Sequence, residues 1–512
     1  MSSSVLGMIY DSLSLGNIFL LLLLLFLLHY LMVLYEFRNM PPGPRFTTLP
    51  VLGNIFSLDL DAETVPETFR SLKKFYGDIF SLKIGSYNLI MASSSEAVKE
   101  VLVTKSGDYA GRSDFYTFYT VTLGGKDIVF GNYGPAWRFY RKLFITALRQ
   151  YVSNTSLVEE KVLAQAEKLV HFMEQYDGKP FDPADYLQRS IADVLCGIIF
   201  KDGSDTTNPD MDKLLKLNVK VTERADDIRV AAILDFFRGA HHLPIKARNR
   251  VLRLFYEIHD VIRKLLRERK ETFHLGKQVE DFMSALLRAR HDLEAECKSD
   301  EERSALLSED YFIVTIEDMF IAGFETTSTA LRFAIAFLSG NLKYQKDIQS
   351  QLDEVLCGLR PSLEDRPKLP LIQAMILETL RLGNVVPLAI PHVALSDTTL
   401  GSYRVPKGTI VYANTESVHL HPKCWDDPTV FNPYRHIDAE GKLITNEGNL
   451  YPFGAGRRVC AGESLAKVKL FLFSSLLLQN FTFLPGDGHP PKSKAGIIQF
   501  PERYTIHAMK RQ

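Results

Sequence analysis

The sequence predicts an α-rich α+β protein, mainly helical with small β-sheets, carrying one N-terminal transmembrane helix ahead of a single large domain. Three observations carry this reading. Residues 18–35 form an apolar run without a formal charge, residues from about 135 to 380 are dominated by helical patterning, and short strand-like runs recur only toward the two ends of the chain. With 512 residues, 46% of them hydrophobic, the chain can bury a large core. No Gly/Ser-rich or Pro-rich linker divides it after residue 50, and no repeat is visible.

Composition also excludes function classes. The 60 basic and 61 acidic side chains leave a formal net charge of −1, so no basic surplus is available for a phosphate backbone and no nucleic-acid partner is expected. The five cysteines, Cys196, Cys297, Cys357, Cys424 and Cys460, are odd in number, widely spaced and without a C-x-x-C pair. That pattern argues against a disulfide framework or a zinc site. Scattered reduced thiols fit a cytosol-facing domain.

Taken in chain order, residues 1–17 read as a short luminal N-terminus and Ile18 to Tyr35 as the membrane anchor. Eighteen residues cover most of a bilayer at about 1.5 Å per residue. No Lys or Arg precedes the run and no small-x-small site follows it, which separates it from a cleaved signal peptide. Arg38 and Arg45 follow it and place that side in the cytosol. The expected location is the endoplasmic reticulum membrane, single-pass, with the catalytic domain cytosolic. Residues 36–50, with Met40-Pro41-Pro42-Gly43-Pro44-Arg45, read as a stiff hinge, and residues 51–512 as the catalytic domain.

Residues 79–92 hold two strand-like runs around Gly85-Ser86, a hairpin signal. Helices are expected at 135–151, 156–175, 183–200, 246–273, 279–297, 308–339 and 342–358, with polar loops at 202–212 and 296–308. After residue 383 short strands return, followed by an irregular Pro-rich stretch to about 453, a helix from Ser464 to Leu477, and C-terminal strands.

The most informative segment is Phe453-Gly454-Ala455-Gly456-Arg457-Arg458-Val459-Cys460-Ala461-Gly462. Three glycines let the backbone bend tightly and let a flat cofactor approach. A helix N-terminus and nearby arginines favour a thiolate at Cys460. Arg458 can pair with a cofactor carboxylate. The pattern F-G-x-G-x-R-x-C-x-G resembles the haem-binding loop of the cytochrome P-450 superfamily at every fixed position.

Three further motifs resemble that family in the family's order. Trp137-Arg138-Phe139-Tyr140-Arg141 follows Gly134-Pro135 on a helix and puts Trp137 and Arg141 one turn apart. Glu378-Thr379-Leu380-Arg381 is similar to the family's E-x-x-R pair. Phe431-Asn432-Pro433-Tyr434-Arg435-His436 is similar to the motif that supplies a locking arginine; Arg435 is kept, while Tyr434 and His436 depart from Glu and Phe. Ala322-Gly323-Phe324-Glu325-Thr326-Thr327 interrupts an apolar helix roughly 48 Å long at 1.5 Å per residue, where a Thr bonding back to a carbonyl can open a notch. Leu306-Leu307-Ser308, Gly111-Arg112 and Pro387-Leu388-Ala389-Ile390-Pro391-His392 are similar to the steroid 17α-hydroxylase/17,20-lyase and aryl-hydrocarbon-metabolising groups.

The resemblance implies a haem b cofactor with Cys460 as axial ligand of the iron. It also implies contacts to the haem from Trp137, Arg141, His392, Arg458 and Phe453, and a structural cluster of Glu378, Arg381 and Arg435. Catalysis would fall to Glu325, relaying protons, and Thr326, stabilising the activated oxygen. The expected activity is a monooxygenase inserting one atom of dioxygen into a lipophilic substrate, steroid-like or an aromatic xenobiotic. Electrons come from NADPH through an NADPH–cytochrome reductase, with cytochrome b5 as a further partner. A basic patch of Arg138, Lys142, Arg457, Lys467 and Lys469 is the candidate docking face. Candidate pocket walls are residues 115–123, beginning with Phe115, then Ala322 and Phe324, residues 386–389, beginning with Val386, and residues 497–500, including Ile498. The alternatives are a haem-thiolate isomerase or dehydratase without a reductase, and a membrane-tethered haem-binding protein without turnover.

Overall fold

A 31-residue helix, Glu309–Ser339, runs through the interior of the computed structural model, which describes residues 15–58, 65–200, 209–294, 308–444, 448–494 and 498–511. Glu309 and Asp310 in its first turn suit the positive end of the helix dipole, and beyond them nearly every side chain is buried. This central helix packs against Ala184–Ile199, Lys246–Thr272, Pro370–Gly383 and Glu463–Asn480. With Pro135–Val152, Thr155–Glu174, Phe282–Glu294 and Leu342–Leu356 these helices enclose one continuous apolar core. Local chemistry sets their ends. Pro135 and Pro370 open helices at the position where a missing N–H costs nothing, and Asn384, at φ 31°, closes one.

The main sheet has four strands. Ile79–Ile84 pairs antiparallel with Tyr87–Ala92, which pairs parallel with Ile410–Ala413, which pairs antiparallel with His392–Val393. The hairpin turns at Gly85, whose φ of +54° and whose contact with the Phe236 carbonyl, 2.2 Å from where a Cβ would lie, both require glycine. His392 pairs with Val411, and Gly111 bridges Val393. The sheet therefore brings Arg112 beside His392. A second pair, Phe481–Pro485 with Ile506–Lys510, closes the C-terminus.

The mainly helical architecture with small sheets matches the sequence expectation, and most expected helices agree to within a few residues. The 279–297 stretch is helical over Phe282–Glu294, and residues 295–297 lie outside the described residues. The loop expected at 202–212 is corrected: residues 201–208 lie outside the described residues, but a helix, Pro209–Glu223, begins within it and is followed by another, Ala225–Asp235. Polar composition masked an amphipathic face on which Met211, Leu214 and Leu217 are buried. Of the 296–308 loop, only Ser308, at the N-cap of the central helix, is described.

The N-terminal helix, Leu15–Glu36, contains the only span among the described residues long and apolar enough to cross a membrane, Asn17–Glu36, of mean hydropathy 2.7. Its last turn docks on the sheet. Val33 and Phe37 join the core cluster that contains Ile90 and Val411. Glu36 accepts from Lys83 Nζ at 2.7 and 2.8 Å and from Asn88 Nδ2 at 2.8 Å. The stretch expected as a hinge is likewise stitched down, with Arg45 donating to Ser81 Oγ at 2.6 Å and Asn54 Nδ2 to the Pro44 carbonyl at 2.8 Å.

Glu378 and Arg381 are fully buried on Pro370–Gly383. Arg381 grips the carboxylate with two bonds of 2.8 Å, and Arg435 Nε adds a third of 3.0 Å. His436, a departure from the family motif, adds its Nε2 at 3.0 Å, and the Asn432 N–H donates at 2.9 Å. Tyr434, the other departure, donates outward to Asp347 at 3.0 Å. Burial opposes the charge on Glu378, but Arg381 and His436 outweigh it and hold the carboxyl down at about 2, below its ordinary 4.5. A depressed folded value means the stabilisation is complete above pH 4.5 and is lost as pH falls through about 2. E378Q should therefore cost about 3–5 kcal/mol at neutral pH, the scale for breaking a buried ion pair. The cost should shrink over that acid window, as read by urea unfolding of parent and variant at a series of pH values.

Candidate active site

The Phe453–Gly462 loop closes on itself. The Cys460 N–H donates to the Phe453 carbonyl at 2.9 Å, and the Val459 N–H to Gly456 at 3.2 Å. Gly454 and Gly456 both have φ of +66°. A Cβ on Gly456 would lie 1.9 Å from the Leu102 carbonyl, so only glycine lets the loop seat against that segment. Cys460 keeps an accessible side chain just ahead of the helix Glu463–Asn480. Burial pushes its thiol upward, against the Gly462 N–H, Arg141 and Lys469. The helix end and Arg141 act in the expected direction, toward the thiolate, and a metal cation held there would favour it further.

Around this loop several cationic and polar groups converge. Arg458 donates to the carbonyls of Ala110 and Gly131, each at 2.8 Å, and lies 4.1 Å over the Trp137 ring. Arg141 bonds the Val459 carbonyl, next to Cys460, and sits 5.4 Å from the same ring. Arg112, only 8% exposed, donates to Val129 and Pro391 carbonyls at 2.9 and 3.0 Å. His392 shares its Nδ1 proton with the Tyr109 carbonyl at 2.7 Å. Burial, then Arg112 and Arg458, push the imidazole down to about 3, so it is neutral with Nε2 as its second site. Burial, then Arg112, lowers Arg458 to about 8. Among the described residues none of these three arginines forms an ion pair; buried Asp127 acts on Arg458 and Arg112 only through space. The Trp137 N–H is committed to the Ile128 carbonyl at 3.1 Å, so the indole offers the arginines a face rather than a donor.

Above this lies the interruption in the central helix. Ala322 is the only exposed residue between Glu309 and Ser339, and Thr326, one turn on, is half-buried. Thr326 Oγ1 donates to the Ala322 carbonyl at 2.6 Å. Glu325 beside it is buried. Lys469 Nζ, from the helix that follows Cys460, donates to the Gly323 carbonyl at 2.9 Å.

Other expected residues separate into two groups. Phe115 packs edge-on against Tyr87 and Phe236, with Leu388 in the same cluster. Val386 and Ile498 are brought together because the Gln499 N–H donates to Val385 at 2.8 Å, and both border the main core, as does Phe453. Residue 497 lies outside the described residues. Phe324 is packed in the main core on the face of the helix away from Ala322, so it is withdrawn from the wall. Lys469 is withdrawn from the basic docking patch: it is 1% exposed. Arg138, Lys142 and Arg457 remain exposed, and Lys467 pairs with Glu463 at 2.6 Å. Sequence reasoning missed Arg112, Lys469 and His436 as site or cluster members.

A thiol beside Arg141 and a group of buried and half-buried arginines, with an exposed turn of an otherwise apolar helix tied to the helix that follows it, fits a haem-thiolate oxidoreductase site. The donor set fits an iron porphyrin: one soft sulfur for the metal, and a cationic cradle that lacks carboxylate partners of its own and suits two propionates. Residues 41–508 match the family model Cytochrome P450. The chain is 35% identical over 475 residues to a steroid 17-alpha-hydroxylase/17,20 lyase of Ictalurus punctatus, covering 91% of each. It is 34% identical over 469 residues to that of Gallus gallus, again 91% of each. It is 32% identical over 461 residues to Cytochrome P450 1A1 of Canis lupus familiaris, covering 88% of this chain and 85% of the relative. The chain belongs to the cytochrome P450 family and is a monooxygenase of that class. Replacing Arg112 by Met should speed haem loss about tenfold or more, from the ~1.5–3 kcal/mol of a charge-assisted bond. The check is the rate of haem transfer to an acceptor apoprotein.

Proposed function

We propose that this protein is anchored in the endoplasmic reticulum membrane by Asn17–Glu36, with its catalytic domain in the cytosol, and that it hydroxylates a steroid-like or aromatic lipophilic substrate. Electrons reach it from NADPH through a membrane flavoprotein reductase, with cytochrome b5 as a second donor. The observation that carries the reading is the tie between two elements. Lys469 joins the helix after Cys460 to the one exposed turn of the central helix, which supports reading the sulfur loop and the Glu325–Thr326 pair as parts of one site.

Bound haem supplies dioxygen activation, and the chain supplies everything that directs it. Cys460 Sγ would bind the haem iron. Arg112, Arg141, Arg458 and His392 Nε2 would hold the propionates, with Trp137 and Phe453 beside them. Thr326 exchanges its bond to the Ala322 carbonyl for one into the notch, and the Glu325 carboxyl resupplies the proton. Phe115, Ala322, Val386 and Ile498 form the apolar wall that excludes water and orients the substrate. Exposed Arg138, Lys142 and Arg457 form the docking face for an acidic reductase surface. The substrate class follows from the relatives named for steroid hydroxylation and lyase chemistry.

The test is NADPH-dependent oxygen uptake by the reconstituted protein and reductase, stimulated by those steroids or planar aromatics that shift its spectrum on binding. An isomerase or a haem carrier would consume no oxygen. Cys460→Ser should abolish the thiolate-type carbon monoxide spectrum; a preserved spectrum would move the ligand elsewhere. Thr326→Ala should keep that spectrum but divert most electrons to peroxide, measured as peroxide formed per NADPH consumed. A product yield equal to the parent's removes Thr326 from proton delivery.

A further inference from the structure

Lys469 is among the largest fully buried side chains of the protein, and its surroundings on its own helix are apolar. Leu465, Leu472 and Phe473, at the spacings that share its face, are all buried. A lysine in such a place costs stability unless its nitrogen is engaged. Nζ donates to the Gly323 carbonyl at 2.9 Å. Gly323 is suited to receive it: a Cβ there would sit 3.2 Å from Leu195 Cδ2 and 3.7 Å from Nζ itself.

The acceptor matters as much as the donor. Gly323 directly follows Ala322, whose carbonyl takes the Thr326 hydroxyl at 2.6 Å. Two consecutive carbonyls of the central helix are thus drawn toward side-chain donors, one from within the helix and one from outside. Such competition for the main-chain ladder acts on the helix locally. The helix stays unbroken here, and its one exposed residue, Ala322, lies at this point with Thr326 one turn on. Burial draws the lysine down to about 7 and the Cys460 sulfur acts against it, so the same side chain also lies within electrostatic reach of the sulfur.

We propose that Lys469 is a positioning residue for the monooxygenase reaction: by holding the Gly323 carbonyl it fixes the exposed turn at Ala322 and Thr326 and locks that turn to the helix that follows Cys460. This rests on the function proposed above. Lys469 touches neither substrate nor cofactor in this role; it acts through the backbone of the turn that carries Thr326.

The test uses the full-length protein with haem and reductase, as parent, K469M and K469R. Met keeps the length and apolar bulk of the stem but cannot donate; Arg restores both donor and charge. In K469M, amide exchange of the peptide spanning Gly323 to Thr327 should quicken about tenfold, the scale of one lost charge-assisted bond, with exchange elsewhere unchanged. Peroxide formed per NADPH should rise several-fold while the thiolate-type carbon monoxide spectrum is kept, and K469R should restore both measurements toward the parent. Unchanged exchange and peroxide in K469M overturn the proposal. So does a K469M that only shifts the iron reduction potential, because Lys469 would then be a counter-charge to the sulfur and nothing more. A parent lacking the thiolate-type spectrum would instead sink the proposed function, a separate outcome read before either variant is made.

Discussion

Like charges buried together are the constraint on which the site depends. Buried Arg112 and half-buried Arg141 and Arg458 lie close together: Arg141 lowers the proton affinity of Arg112, and Arg112 and Arg141 lower that of Arg458, in addition to what burial does. Main-chain carbonyls of Ala110, Val129, Gly131, Pro391 and Val459 orient the guanidinium groups but do not neutralise them. Asp127 is the nearest carboxylate, and burial pushes it up to about 6, against three backbone N–H groups and Arg458. An arrangement of this kind is costly for the protein alone and favourable once a dianionic cofactor enters. On the proposed reading, haem binding would be part of the energetics of the fold, and cofactor retention would read out these arginines.

The contrast with Glu378 is instructive. There the charges are also buried, but a carboxylate is surrounded by Arg381, Arg435, His436 and an N–H from within the chain. That cluster is self-sufficient. It fixes the helix Pro370–Gly383 to the segment around Phe431–His436, and Arg381 further grips the carbonyls of His419 and Pro428 at 2.6 and 2.7 Å. His419 in turn accepts the Tyr451 N–H at 2.9 Å, just ahead of the cysteine loop. A self-contained ion cluster thus sits beside the cationic one: through Arg381, His419 and Tyr451 it sets the frame on which the cysteine loop begins.

What could be read from the sequence was whatever is written in local spacing. The glycines and cysteine of residues 453–462, the Glu378–Arg381 pair, the Trp137–Arg141 turn and the break at residues 322–327 each sit within one loop or one or two helical turns, so adjacency in sequence is adjacency in space. Arg112 and His436 become partners of distant groups only through tertiary structure, and nothing in their immediate neighbours states whether they are buried. Lys469 is the sharper case. Beside Lys467 it looks like half of a surface pair, yet residues two apart on a helix face in different directions. Lys467 reaches back to Glu463 and stays at the surface, whereas Lys469 shares the buried stripe of Leu465, Leu472 and Phe473. The helix at Pro209–Glu223 was hidden for the opposite reason, because its acidic surface residues outweighed a thin apolar stripe.

The same logic joins the membrane end to the site. Glu36, at the last residue of the N-terminal helix, holds Lys83 and Asn88 on the two strands of the hairpin. Val33, Phe37 and Met40 share a core cluster with Val411, and Val411 pairs with His392 of the cationic cradle. The helix is thereby continuous with the sheet that positions the cradle, rather than tethered beside it. Phe46, Val51 and Phe56, all highly exposed, lie on the segment that follows, and Phe46 stacks on Tyr30 of the helix at 5.4 Å. Apolar surface gathered there is costly in water and favourable against lipid. With the anchor proposed above, a joint flanked by such surface would hold the catalytic domain in one attitude to the bilayer, and a lipophilic substrate dissolved there would meet the domain from one direction.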